Sequence, residues 1–163
     1  MPRTYEPIAT TTATGSSATI TFSSFPSTYT DLIIVCAIKG TNANDAYLRY
    51  NSDTGSNYSD TTVRGNGSAA SSVRNTNVVG IDIGAIANVG ANDIGTIIIH
   101  IQNYSNATTH KSNLTRFNNA SALVSLIAGL WRNTAAITSI DLFNRGGSWV
   151  SGSTFTLYGI KAA

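Results

Sequence analysis

The sequence predicts an all-β fold, an antiparallel β-sandwich of jelly-roll type, on three observations. Apolar and β-branched residues recur at every second position in short runs, the period of half-buried strands. Clusters of Gly, Asn, Asp and Ser interrupt these runs at intervals of roughly 8–12 residues, the spacing of sandwiches and barrels. No stretch keeps a convincing helical period. The 163 residues suit one domain, since a chain of this size buries roughly 70% of the surface it exposes unfolded.

Residues 1–12 read as an extended N-terminal arm and 13–163 as a single sandwich domain. Pro2 and Pro7 deny the arm ladder hydrogen bonds, which places it at a sheet edge or across a neighbouring subunit, with Tyr5, Pro7 and Ile8 as its contacts. Residues 18–22 alternate, with Ile20 and Phe22 inward, and Phe25 plugs the end of the core. Residues 31–39 are apolar on both faces, and the only cysteine, Cys36, acts there as a small buried hydrophobe. A turn is expected over 40–44, a short strand over 46–50, a polar loop over 51–57 and a weaker strand over 58–64.

Residues 65–72 look like the most flexible segment of the chain. A strand over 77–83 follows, with Val79, Ile81 and Ile83 on one side, then a small-residue loop over 84–90 and a turn at 91–93. Thr96 to Gln102 is the central strand: Ile97, Ile99 and Ile101 share one face, while Ile98, His100 and Gln102 run from apolar to polar on the other. Residues 111–118 form a strand with Leu114 and Phe117 turned in, and 118–121 turn the chain. Residues 123–131 are long enough for a helix, but Leu126, Ala128 and Leu130 keep a period of two and favour a strand. Residues 136–143 alternate less strictly, 144–148 turn, and 153–161 close the fold beside the first strand. The count is about ten strands.

Composition excludes several functions. Charged residues are 11% of the chain, well below the roughly 25% usual in soluble domains, and Lys and Arg are scattered without a run, so nucleic acid is not an expected partner. The longest apolar runs are too short to span a membrane. Met1 to Pro7 lacks the apolar core of a secretory signal, which points to a product made in a cytoplasm.

Catalytic and metal motifs are missing too. His100 and His110 have no ligand partner at zinc spacing. Asn51, Asp53, Asn57 and Asp60 gather oxygens, but the spacing suits an Asx-turn network better than a calcium loop. Gly65-Asn66-Gly67-Ser68 is followed by neither a Lys-Ser/Thr pair nor a helix, so it is no phosphate cradle. No serine sits in a Gly-x-Ser-x-Gly elbow. The chain reads as a non-enzyme without metal or cofactor. Tyr47, Tyr50, Tyr58 and Trp149, together with Trp131, are the candidates for a sugar- or protein-binding surface, because aromatics with polar tips supply contact area at low entropic cost.

Several stretches resemble small virion structural proteins of tailed bacteriophages, of marine and cyanobacterial type. They are Tyr5-Glu6-Pro7-Ile8-Ala9-Thr10, Ile20-Thr21-Phe22-Ser23-Ser24, Tyr29-Thr30-Asp31-Leu32, Leu48-Arg49-Tyr50-Asn51, Asp53-Thr54-Gly55-Ser56-Asn57-Tyr58-Ser59 and Gly152-Ser153-Thr154-Phe155-Thr156-Leu157-Tyr158-Gly159-Ile160. The resemblance implies a structural module on the virion surface, made in the host bacterial cytoplasm. Its expected role is a capsid decoration or cement subunit, with a tail-fibre or receptor-binding adhesin as the alternative. Expected partners are further copies of the chain, as a homo-oligomer and most simply a trimer, the major capsid protein or another virion protein, and in the adhesin case a host surface glycan.

Overall fold

A computed structural model describes residues 4–39, 45–85, 89, 93–119 and 121–161. The turns expected at 40–44, 91–93 and 118–121 and the loop at 84–90 fall wholly or partly outside them. Among the described residues are twelve strands: β1 (Tyr5–Thr12), β2 (Thr19–Ser23), β3 (Asp31–Lys39), β4 (Ala46–Tyr50), β5 (Tyr58–Gly65), β6 (Ala70–Val78), β7 (Ile81–Gly84), β8 (Ile94–Gln102), β9 (Lys111–Asn119), β10 (Leu123–Trp131), β11 (Ser139–Asn144) and β12 (Thr154–Ile160).

They form an eight-stranded sheet, β1-β12-β3-β8-β9-β10-β5-β6, packed on a four-stranded one, β2-β11-β4-β7. All pairings are antiparallel. Without β5, β6, β9 and β10, the chain crosses from one sheet to the other at every step except from β4 to β7, which are paired neighbours in the smaller sheet, and leaves two sheets, β1-β12-β3-β8 and β2-β11-β4-β7. That is the jelly roll, two interlocked Greek keys closed by the first and last strands. The hairpins β5–β6 and β9–β10 are insertions. They pair with each other through β10 and β5 and widen one sheet beyond the cover of the other.

The core lies where the two four-strand layers face. Leu32, Ile34, Cys36 and Ile38 of β3, Ile97, Ile99 and Ile101 of β8, and Phe155 and Leu157 of β12 meet Ile20, Phe22, Leu48, Ile81, Ile83, Ile140 and Leu142 of the smaller sheet, all buried. Phe25 closes one end edge-on to Tyr104, with ring centroids 5.9 Å apart.

Residues 5–12 do not reach away from the body. They form β1 and pair with β12, and the register slips between Pro7 and Ala9. The edge position agrees with the prolines, and the bulge at Ile8 lets the ladder pass Pro7 despite its missing N–H. Ile8 packs on the subunit's own core, while Tyr5 is 55% exposed. The segment expected to be flexible and the strand expected over 77–83 are also redrawn. Residues 70–78 are β6, a polar, exposed edge strand, and the chain leaves that sheet at Val79-Gly80 before entering β7 in the other.

Candidate functional site

Of the aromatic candidates only Tyr47 reaches solvent; Tyr50, Tyr58, Trp131 and Trp149 are buried. Burial is tolerated because each polar tip finds a partner. The Tyr58 hydroxyl accepts from the Tyr50 amide at 3.1 Å and lies 3.1 Å from the Asp53 carbonyl, and the Tyr50 hydroxyl donates to Asn113 Oδ1 at 3.3 Å. Trp131 stacks on Tyr58 and its Nε1–H donates to Asp53 Oδ2 at 2.7 Å. Trp149, a candidate for the binding surface, instead packs edge-on against Phe155, and its indole N–H donates to the Leu142 carbonyl at 3.2 Å. The turn at 144–148 folds the indole back onto the core.

The oxygen-rich loop is an Asx network, as its spacing suggests. Asp53 accepts from the Gly55 amide at 2.8 Å, from Asn57 Nδ2 at 2.9 Å and from Trp131. Burial works against its charge, but these hydrogen bonds outweigh that and hold its carboxyl below the ordinary value. Asn51 Oδ1 receives the Thr138 and Ser139 amides and so fastens the entry to β11. His100 lies 2.9 Å from Asp31 across the β3–β8 ladder, and His110 is an exposed residue before β9. Among the described residues no three His, Cys, Asp or Glu gather as metal ligands would.

Two surfaces stand out instead. On β9 and β10 apolar side chains also point outward, and polar ones inward. Leu114, expected to point in, is 43% exposed, and Val124 and Leu126 are 59% and 42% exposed, with Ala128 also outward. Phe117 does point in, but beside it the inward face of β9 carries Lys111, Asn113, Thr115 and Asn119, all buried. The Lys111 ammonium is held by the Thr109 and Thr134 carbonyls at 2.6 and 3.0 Å, and Asn113 Nδ2 donates to Thr115 Oγ1 at 3.0 Å. Val63, 50% exposed, is paired with Leu126 across the β5–β10 ladder. An apolar stripe therefore lies on the outer face of the eight-stranded sheet, flanked by Arg116, Leu126's neighbour on β9.

The second surface is the outer face of the four-stranded sheet. Tyr47 and Phe143 are cross-strand partners on β4 and β11, their rings 5.5 Å apart and 26° from parallel. The Arg49 guanidinium lies 4.1 Å from the centre of the Phe143 ring, and Arg145 lies 5.8 Å from that of Tyr47. Two cations thus bracket two stacked rings. Arg49 Nε donates to the Val79 carbonyl at 2.7 Å, which fixes the guanidinium over the ring. Beside this ridge runs a groove of about 390 Å3 lined by Val78 and the exposed Val79. The signal that finds this site is the twin spelling Asp45-x-Tyr47-x-Arg49 and Asp141-x-Phe143-x-Arg145, because alternate residues of a strand share a face. Tyr47 alone was legible as a candidate.

Compared with known proteins, the chain matches no family model, and no curated protein or solved structure matches it significantly.

Proposed function

We propose that the chain is a non-enzymatic structural subunit of a bacteriophage virion, a head-decoration protein that packs on the shell through the outer face of its eight-stranded sheet. The observation that carries this reading is the outward apolar stripe of Leu114, Val124, Leu126 and Val63. A contiguous apolar patch bordered by polar residues marks a surface that another protein covers. The jelly roll agrees with it, being an architecture of viral capsid domains, though it also serves lectins and does not by itself assign a role. The glycan-binding alternative loses its motive, because four of its five aromatics are core residues and the fifth, Tyr47, has its ring taken by Phe143 and Arg145.

Co-sedimentation with purified heads of a phage that encodes the chain tests the reading. The wild-type protein is expected to pellet with heads, and Leu126→Lys combined with Val124→Lys is expected to stay in the supernatant while melting at the wild-type temperature. Binding to isolated tails and not to heads would establish the fibre role instead. Binding to neither would remove the virion reading.

A further inference from the structure

The outer face of the four-stranded sheet carries a charge pattern that a second copy of the same face matches. In the antiparallel register of β4 and β11, Asp141 lies opposite Arg49 and Phe143 opposite Tyr47. The Arg145 amide donates to the Asp45 carbonyl at 3.1 Å and continues the ladder by one more pair. Three rows result: Asp141 beside Arg49, Phe143 beside Tyr47, Arg145 beside Asp45. The outer row on each side holds one acid and one base, in opposite order.

Turn a copy of this face through 180° about an axis lying in the sheet. If the axis runs along the strands, Arg49 of the copy lies over Asp141 and Asp45 of the copy over Arg145. If it runs across them, Arg145 of the copy lies over Asp141 and Asp45 of the copy over Arg49. Either way all four charges meet opposites and the aromatic row meets the aromatic row, the self-complementarity an isologous interface requires.

Inside the subunit these charges are not spent on one another. The ion pairs among the described residues are His100–Asp31 and Lys161–Glu6, not Arg49–Asp141 or Arg145–Asp45. Among the described residues Asp141 accepts from two hydroxyls, Thr21 Oγ1 at 2.7 Å and Ser52 Oγ at 3.2 Å. Stacking on Phe143 and the Val79 carbonyl hold Arg49 in place before any partner arrives, which lowers the entropy lost on binding. Tyr and Arg at the centre of a patch are also the residue types that carry most interface energy.

We infer that two copies of the chain associate through this face about a two-fold axis, leaving the apolar stripe of the other sheet free. The contact is independent of the virion reading, since it needs no shell. Four strands about 4.8 Å apart and some five residues of about 3.4 Å rise project roughly 300 Å2, less than the ~800 Å2 per partner of a standard interface. The dimer is therefore weak and concentration-dependent, and its two-fold symmetry replaces the trimer expected from sequence.

Sedimentation velocity of the full chain from about 10 μM to about 1 mM at low salt, a range that spans weak dissociation constants, reads the association. A reversible dimer, dissociated by added salt, is expected. Arg49→Asp with Arg145→Asp leaves these four positions all acidic, and Asp45→Arg with Asp141→Arg leaves them all basic. Each double variant alone is expected to dimerise at least about 100-fold more weakly, given the coupling energies of close charge pairs. The two mixed in equal amounts are expected to form a one-to-one heterodimer, which also shows that both are folded. Leu126→Lys is expected to leave the dimer intact. A strict monomer or a trimer at about 1 mM, a dimer indifferent to both double variants, or a mixture that forms no heterodimer would overturn the proposal, whatever the heads do.

Discussion

Asp82 shows how one carboxyl sets a pH response. It accepts the Gly84 amide at 2.8 Å, yet burial lifts its pKa to about 6; the amide pulls the other way, and Asp45 and Asp60 add to the rise. The folded value lies above that of the unfolded chain, so between about pH 4 and 6 the native state keeps a proton that the unfolded state releases. Stability therefore falls as pH rises through that window, by on the order of 2 kcal/mol, and stays lowered above it. Asp82→Asn keeps the acceptor for the Gly84 amide and removes the charge. It is expected to raise the melting temperature at pH 8 by about 4–8 °C for a domain of this size, and to flatten the stability profile between about pH 4 and 6. Denaturant titrations at either end of the window check this; an unchanged slope would assign the response elsewhere. Asp60, whose pKa burial also raises despite hydrogen bonds from Asn75 and the Asp82 amide, leaves a residual slope of the same sign.

On β10 the packing leaves no room for a side chain at one position. Gly129 on its inner face lies under β7, and a Cβ there would sit 2.6 Å from Ile81 Cγ2 and collide with the Asn113 side-chain oxygen. Gly129→Ala is expected to lower unfolding free energy by about 1–3 kcal/mol in urea titrations, because overpacking outweighs the entropy gained from losing a glycine. Gly65→Ala, whose Cβ would meet nothing nearer than the Ala69 carbonyl at 3.9 Å, is the matched control and is expected to stabilise by up to about 1 kcal/mol. β3 and β8 were legible because Leu32 to Ile38 and Ile97 to Ile101 are apolar on the side they bury. β6 was not, because a polar edge strand has no apolar period to display. On β10 the strongest alternation, Leu126, Ala128 and Leu130, faces outward, since pairing with β9 and β5 turns Ile127 and Trp131 into the core. A single sequence assigns apolar residues to the inside, and here hydrogen-bonded neighbours override that assignment. The same limit hid Phe143, Arg49 and Arg145, whose meeting depends on which strands pair.

At the scale of the whole molecule, a sparsely charged coat, polar except at the apolar stripe, surrounds one apolar core, and with two ion pairs among the described residues the fold itself is expected to tolerate salt that dissolves its contacts. Cys36 sits midway along β3, between Phe155 of β12 and Ile97 of β8, wholly inaccessible, and burial pushes its thiol pKa upward. A thiol so placed reacts only after the two layers part, for the thiolate is both disfavoured and out of reach. Labelling of the native protein by an aromatic disulfide reagent is therefore expected to be slow, with a rate set by the fraction of molecules open, and Gly129→Ala is expected to speed it about tenfold for every ~1.4 kcal/mol of stability lost. Fast labelling of the wild type would mean that the layers breathe locally. The sole sulfhydryl thus serves as an internal clock, ticking once per molecule when the layers part, and it needs no engineered dye to be read.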